Sequence, residues 1–182
     1  MSSPAELSTV EDADELREIL GEIVPAAADK ERARLHPVDK AWLAASPFCL
    51  LATANAEGSC DISPKGDPRG FVHILDDTTL VLPERPGNRR ADSFHNILSN
   101  PQVSLIFLVP GRGATLRIKG VARIVKDGPF FDALTVKGHR PKLALVIDIE
   151  TIFFHCAKAF MRSQLWEPES WAPDALPSHA QM

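Results

Sequence analysis

Phe48-Cys49-Leu50-Leu51-Ala52-Thr53, followed almost at once by Asn55-Ala56-Glu57-Gly58, is the stretch that decides the fold. A continuous apolar run of strand length that ends in a turn containing Asn and Gly reads as the first half of a β-hairpin. Its partner is then Ser59 to Ser63, after which Pro64, Gly66, Pro68 and Gly70 punctuate a loop. Phe71 to Leu75 and Thr79 to Leu82 follow as two further strands, separated by the turn residues Asp76-Asp77. Four strand candidates within about 35 residues suit an antiparallel meander or barrel.

Toward the C-terminus the pattern repeats with helical interruptions. Ala91 to Leu98 has helical spacing and ends at Asn100-Pro101. Val103 to Val109 is an apolar strand, Pro110-Gly111-Arg112-Gly113 a turn, and Thr115 to Val125 a long strand with Leu116, Ile118 and Val121 among its apolar positions. A helix is expected over Pro129 to Val136, an apolar strand over Leu143 to Phe154, and a terminal helix over Ala157 to Leu165. From Trp166 the chain is rich in Pro and polar residues and is expected to wrap or fray.

Toward the N-terminus, Val10, Ala13, Leu16, Ile19 and Leu20 recur at helical spacing among acids and predict a short amphipathic helix that Pro25 ends. His36-Pro37 opens a second helix through Ala45, with Pro at a first-turn position and Pro47 closing it. These elements predict a mainly β chain: a helical extension over 1–46, a barrel domain over 47–166 and a tail over 167–182. A small closed barrel would also hide its sheet edges.

Composition narrows the function classes. At 182 residues with 45% apolar content, the chain can bury a substantial core. Its 20 Lys and Arg against 24 Asp and Glu leave a net charge of −4, so nucleic acid is not an expected partner and any basic site must be local. The absence of Tyr removes phenolic acid-base chemistry. Cys49, Cys60 and Cys156 form no Cys-x-x-Cys pair and read as reduced, buried thiols rather than a zinc site or disulfide framework. The first 21 residues lack a basic segment leading into an apolar one, and no stretch approaches membrane-spanning length, so a cytoplasmic protein without a membrane partner is expected.

The segment Pro83-Glu84-Arg85-Pro86-Gly87-Asn88-Arg89-Arg90 gathers three Arg beside Gly and Asn just ahead of a helix N-terminus. Guanidinium forks, backbone amides and the positive end of a helix dipole suit a phosphate, although a solvated basic turn has the same composition. Ser63-Pro64-Lys65-Gly66 ends a strand with a hydroxyl and an ammonium, and taken alone reads more readily as a Pro-rich turn. Thr115 and Arg117 fall on one face of a strand, and Lys158 and Arg162, four apart, on one face of a helix. No Walker or dinucleotide fingerprint, no helical pair of metal-ligating His and no nucleophile elbow is present, so no metal is expected.

Cys60-Asp61-Ile62-Ser63-Pro64-Lys65-Gly66-Asp67-Pro68-Arg69-Gly70-Phe71-Val72, then Leu82 to Arg90, then Pro110-Gly111 and Thr115 to Arg123 resemble the pyridoxamine 5'-phosphate oxidase-like family of FMN-binding split-barrel flavoproteins. The ending Phe154 to Trp166 is similar to one bacterial branch of that family, and the match runs from about Pro37 to Trp171. The resemblance implies a six-stranded antiparallel split barrel that forms a homodimer, with FMN held between subunits. It places Pro83, Arg85, Asn88, Arg89 and Arg90 in a phosphate loop. Ser63, Pro64, Lys65 and Gly66 fall on a strand passing the flavin ring, and Thr115 and Arg117 near the phosphate or ribityl chain. Lys158 and Arg162 resemble C-terminal basic residues that complete the site.

The function so implied is a flavin-dependent oxidoreductase acting on a small molecule. The alternative is a non-catalytic binder of flavin, deazaflavin F420 or haem in stress response or cofactor handling, since one fold hosts several activities. Pyridoxamine phosphate oxidases end in an Arg-Leu-x-x-Arg type motif, where this chain has Lys158-Ala159-Phe160-Met161-Arg162. Oxidation of a B6 vitamer is therefore not expected.

Overall fold

The structure is a computed structural model that describes residues 7–22, 30–175 and 177. It divides into two compact units, Met1–Lys30 and Glu31–Met182. The first carries α1 (Ala13–Leu20), which Asp12 caps by accepting the backbone N–H groups of Asp14 and Glu15 at 3.0 and 2.9 Å. Gly21, at φ +75°, ends it, and no residue of α1 is buried. Pro25 lies outside the described residues.

In the second unit α2 (Pro37–Ala45) precedes β1 (Phe48–Ala54), β2 (Cys60–Gly66), β3 (His73–Asp76) and β4 (Thr79–Pro83). Then come α3 (Asp92–Ser99), β5 (Gln102–Leu108), β6 (Thr115–Val125), β7 (Ala144–His155) and α4 (Lys158–Ser163). The strands form one antiparallel sheet in the order β2-β1-β5-β6-β7-β4-β3. It has seven strands rather than the six that the family resemblance implies. The shortest is the four-residue β3, folded onto β4 by a tight turn in which Asp76 accepts both the N–H and the hydroxyl of Thr78, at 2.7 and 2.8 Å. Among the described residues no helix is long and apolar enough to cross a membrane.

Alternation places the core. On β1 and β5 the odd-numbered residues from Cys49 to Thr53 and from Val103 to Phe107 are buried, while the residues between them are half-buried. Leu51, Leu105, Phe107, Leu116, Ile118, Ile147 and Ile152 are fully buried, each burial contributing about 1.5–3 kcal/mol. Leu43 of α2 and Phe94 and Ile97 of α3 join the same core. The entry to α2 is fixed by Asp39, which is buried and accepts two bonds from the Arg32 guanidinium, at 2.5 and 3.0 Å, and one from the His36 N–H at 2.8 Å. That pairing raises the Arg32 pKa above its ordinary value.

Two other expectations are corrected. The helix over Pro129 to Val136 is only a 3-10 turn, Asp132–Leu134. Phe131 and Leu134 are buried against Val81, Ala144 and Val146, and their three-residue spacing satisfies a 3-10 turn as well as an α-helix. Of the three thiols only Cys49 is buried, with its pKa pushed up to about 12 by desolvation; Cys60 and Cys156 are exposed.

Candidate functional site

The 84–91 loop leaves β4 and turns into α3 through two residues in left-handed backbone, Arg89 at φ 64° and Ala91 at φ 58°. The Asn88 carboxamide oxygen accepts the Arg90 N–H at 3.0 Å, which closes the turn. Ala91 occupies the N-cap position with no side-chain cap, so the first amides of α3 keep free donors. Non-glycine residues in this conformation each cost about 1–2 kcal/mol, and paired outliers at a helix entrance are the kind of strain that functional loops hold.

α3 lies against β2 through Ser93, whose hydroxyl donates to Asp61 at 2.9 Å, and through Asn96, whose amide donates to the Thr53 hydroxyl on neighbouring β1 at 3.0 Å. Between them Lys65 reaches Glu84 at 2.6 Å with its ammonium 5.6 Å from the Phe94 ring centre. These contacts enclose a cavity of about 750 Å³ bounded by β2, the 84–91 loop and the turn that leads into β7. The volume falls in the roughly 300–1,000 Å³ range of small-molecule sites.

Seven of the residues singled out from the sequence meet at this cavity: Ser63, Pro64, Lys65, Arg85, Asn88, Arg89 and Arg90. Gly66 and Pro83 join Ser63, Lys65 and Arg85 at an adjoining space of about 310 Å³. The cations differ in what already holds them. Arg85 is bound by Asp67 and donates to the Leu134 carbonyl at 2.8 Å, and Arg90 pairs with Asp92 at 2.7 Å. Arg89 has no ion pair among the described residues.

Thr115, Arg117, Lys158 and Arg162 do not line this cavity. Thr115 is buried opposite His155, and Arg117 lies between Ile106 and Phe153 with its guanidinium 5.1 Å from the Phe153 ring. The Arg117 Nε is buried without a hydrogen-bond partner among the described residues. Lys158 and Arg162 are both exposed on α4.

One wall was absent from the sequence reading. The turn Val136-Lys137-Gly138-His139, closed by a bridge between Val136 and His139, presents His139, Arg140 and Lys142 to the cavity. Arg140 is held by Asp127 and Asp132 at 2.6 and 2.8 Å, whereas Lys142 has no ion pair among the described residues. The signal available was a second cation-rich, Gly- and Pro-punctuated turn beside a strand, parallel to the 84–90 segment.

The arrangement suits a ligand with an anionic end and a flat, mostly apolar body. Arg89, the free α3 amides and the Asn88 amide supply donors for a phosphate, while Pro64, Phe94 and Leu143 supply apolar wall.

No curated protein matches this sequence. Among solved structures, HupZ of Group A Streptococcus is 24% identical, with a TM-score of 0.53 over 66% of this chain and 93% of that one. A candidate pyridoxamine 5'-phosphate oxidase from Lactobacillus delbrueckii is 22% identical, with a TM-score of 0.53 over 68% of this chain and 98% of that one. Both likenesses concern the fold. The model of the pyridoxamine 5'-phosphate oxidase family matches residues 35–156, a span containing β1 to β7 and every wall of the cavity. The chain therefore belongs to the pyridoxamine 5'-phosphate oxidase family.

Proposed function

We propose that this protein is an FMN-binding oxidoreductase that acts on a small molecule and works as a homodimer. The observation that carries the reading is the convergence of Arg89, the uncapped α3 N-terminus and the β2 residues Ser63 and Lys65 on one cavity of about 750 Å³. The donor set fits the cofactor: a dianionic phosphate needs cationic and amide donors together, and Arg89 stands free for that role. Arg89, Asn88 and the first amides of α3 hold the phosphate, with Arg85 and Arg90 lending charge from their ion pairs. Ser63, Pro64, Lys65 and Gly66 border the ring, and Lys65 adds a cation near its edge. Pro83 anchors the loop at the end of β4. Bound FMN supplies hydride and electron transfer, which the polypeptide orients and tunes.

The dimer is supported by the sheet face turned away from the core. Leu50 and Ile106 there are half-buried and Ile62 is 64% exposed, an apolar surface beside the unpartnered Nε of Arg117. In the proposed assembly a second copy covers this face and the sheet acts as a split barrel. Thr115, Arg117, Lys158 and Arg162 then complete the partner's cavity.

Adding excess FMN, desalting and measuring the visible spectrum together with the mass in solution tests the reading. Flavin bands that survive desalting on a dimer are expected; a colourless protein overturns the assignment. Steady oxidation of a reduced pyridine nucleotide by the loaded protein is the expected sign of an enzyme, and its absence across electron donors favours a binding role.

A further inference from the structure

On the far side of Arg85 from the flavin cavity lies a separate space of about 290 Å³, between α2, the 68–72 loop, β3 and the 3-10 turn. Its apolar floor includes Val72, Ile74 and Leu134, and Lys40, Arg69 and His73 stand around it. Lys40 pairs with Asp77 at 2.6 Å, a carboxylate it shares with Arg34 at 3.6 Å, and Arg85 pairs with Asp67. Arg69 has no ion pair among the described residues, so of the three Lys and Arg side chains lining this cavity it alone has no carboxylate partner there.

We propose that this cavity is a second ligand site, for a small organic monocarboxylate with a compact, planar apolar body. Arg69 takes the carboxylate, because a guanidinium fork matches two carboxylate oxygens and the other two cations are already held. The body rests on the aliphatic floor beside His73, whose ring stacks on Phe130 at 6.3 Å between centres and 25° between planes. The volume, just below the roughly 300–1,000 Å³ range of small-molecule sites, suits a compact ligand. The wall is built rather than incidental. Gly70, at φ +76°, brings the loop so close to α2 that a Cβ would meet the Ala44 carbonyl oxygen at 3.2 Å.

Benzoate serves as the probe. Titrated into the full chain in the presence of FMN and followed by amide NMR, it is expected to shift residues 69–74. Arg69→Ala should weaken benzoate about tenfold, Arg69→Lys, which keeps the charge and loses the fork, should fall between that variant and the parent chain, and Arg89→Ala should leave it unchanged. Shifts confined to residues 87–93, equal affinity in Arg69→Ala, or no shift in residues 69–74 at millimolar benzoate would each overturn the proposal. Benzoate shifts at 69–74 in a protein that retains no FMN would remove the flavin reading and leave this one standing.

Discussion

Lys65 on the edge strand β2 and Glu84 just beyond β4 meet at 2.6 Å although their strands stand five places apart in the sheet order. The Arg85 to Asp67 pair joins the same two segments. The sheet therefore curls until its first strand approaches its sixth, and the cavity forms where they converge. Fold and site are coupled through these two ion pairs.

Their partial burial gives them weight, since the Lys65 and Glu84 side chains are 14% and 32% exposed. Glu84→Gln should lower unfolding stability by about 1–2 kcal/mol, because a half-buried ammonium loses its charged partner. Urea unfolding of both proteins measures it; an unchanged midpoint would show that solvent compensates Lys65.

Gly120 sits at the β6 register shift, where a Cβ would collide with the Asp148 carbonyl oxygen on β7. A backbone carbonyl cannot move aside without breaking the ladder, so Gly120→Ala should cost about 2–4 kcal/mol. A thermal melt shifted by less than a few degrees would contradict the close approach.

Ala91 invites the opposite change. At φ 58° its side chain is in the left-handed region that glycine tolerates, so Ala91→Gly should stabilise the protein by up to about 1 kcal/mol, net of the added chain entropy. The same chemical denaturation curve reports the sign. A loss of stability would mean that the loop is less strained than its backbone angles imply.

Three exposed carboxylates predict the acid side of the stability profile. The Thr78 hydroxyl, the Lys40 ammonium and the Arg140 guanidinium hold Asp76, Asp77 and Asp127, respectively, below the usual aspartate value. Each binds a proton more readily when unfolded. Their contribution is thus complete above about pH 5 and is lost as pH falls through the unfolded and then the lower folded values. Melting temperature should fall from pH 5 to pH 3, and Asp77→Asn should make that fall shallower.

Much of the fold is legible in the residues themselves. β6 spans Thr115–Val125 as its pattern predicts, and β1, β4 and α2 differ from expectation by a residue at most. What failed was decided by tertiary packing. Phe131 and Leu134 fit either helix type until their burial against Val81 and Val146 selects a 3-10 turn. Cys60 is exposed because it falls on the outward face of the edge strand β2, a placement that sequence does not reveal. In the site, the 83–90 cluster stands out because Arg85, Arg89 and Arg90 fall close together in one loop. His139 and Lys142 lie in a second cation-rich turn, and only the curl of the sheet brings that turn to the same cavity as Arg89. Asp67 as the holder of Arg85 was equally hidden, being a contact between segments 18 residues apart.

The most direct test compares FMN and riboflavin binding to the parent chain and to Arg89→Ala by flavin fluorescence. If the 88–91 loop holds the phosphate, the substitution should weaken FMN about 10- to 100-fold and leave the weaker riboflavin affinity unchanged. Equal FMN affinity in the two proteins, or no FMN binding by the parent, would contradict the account.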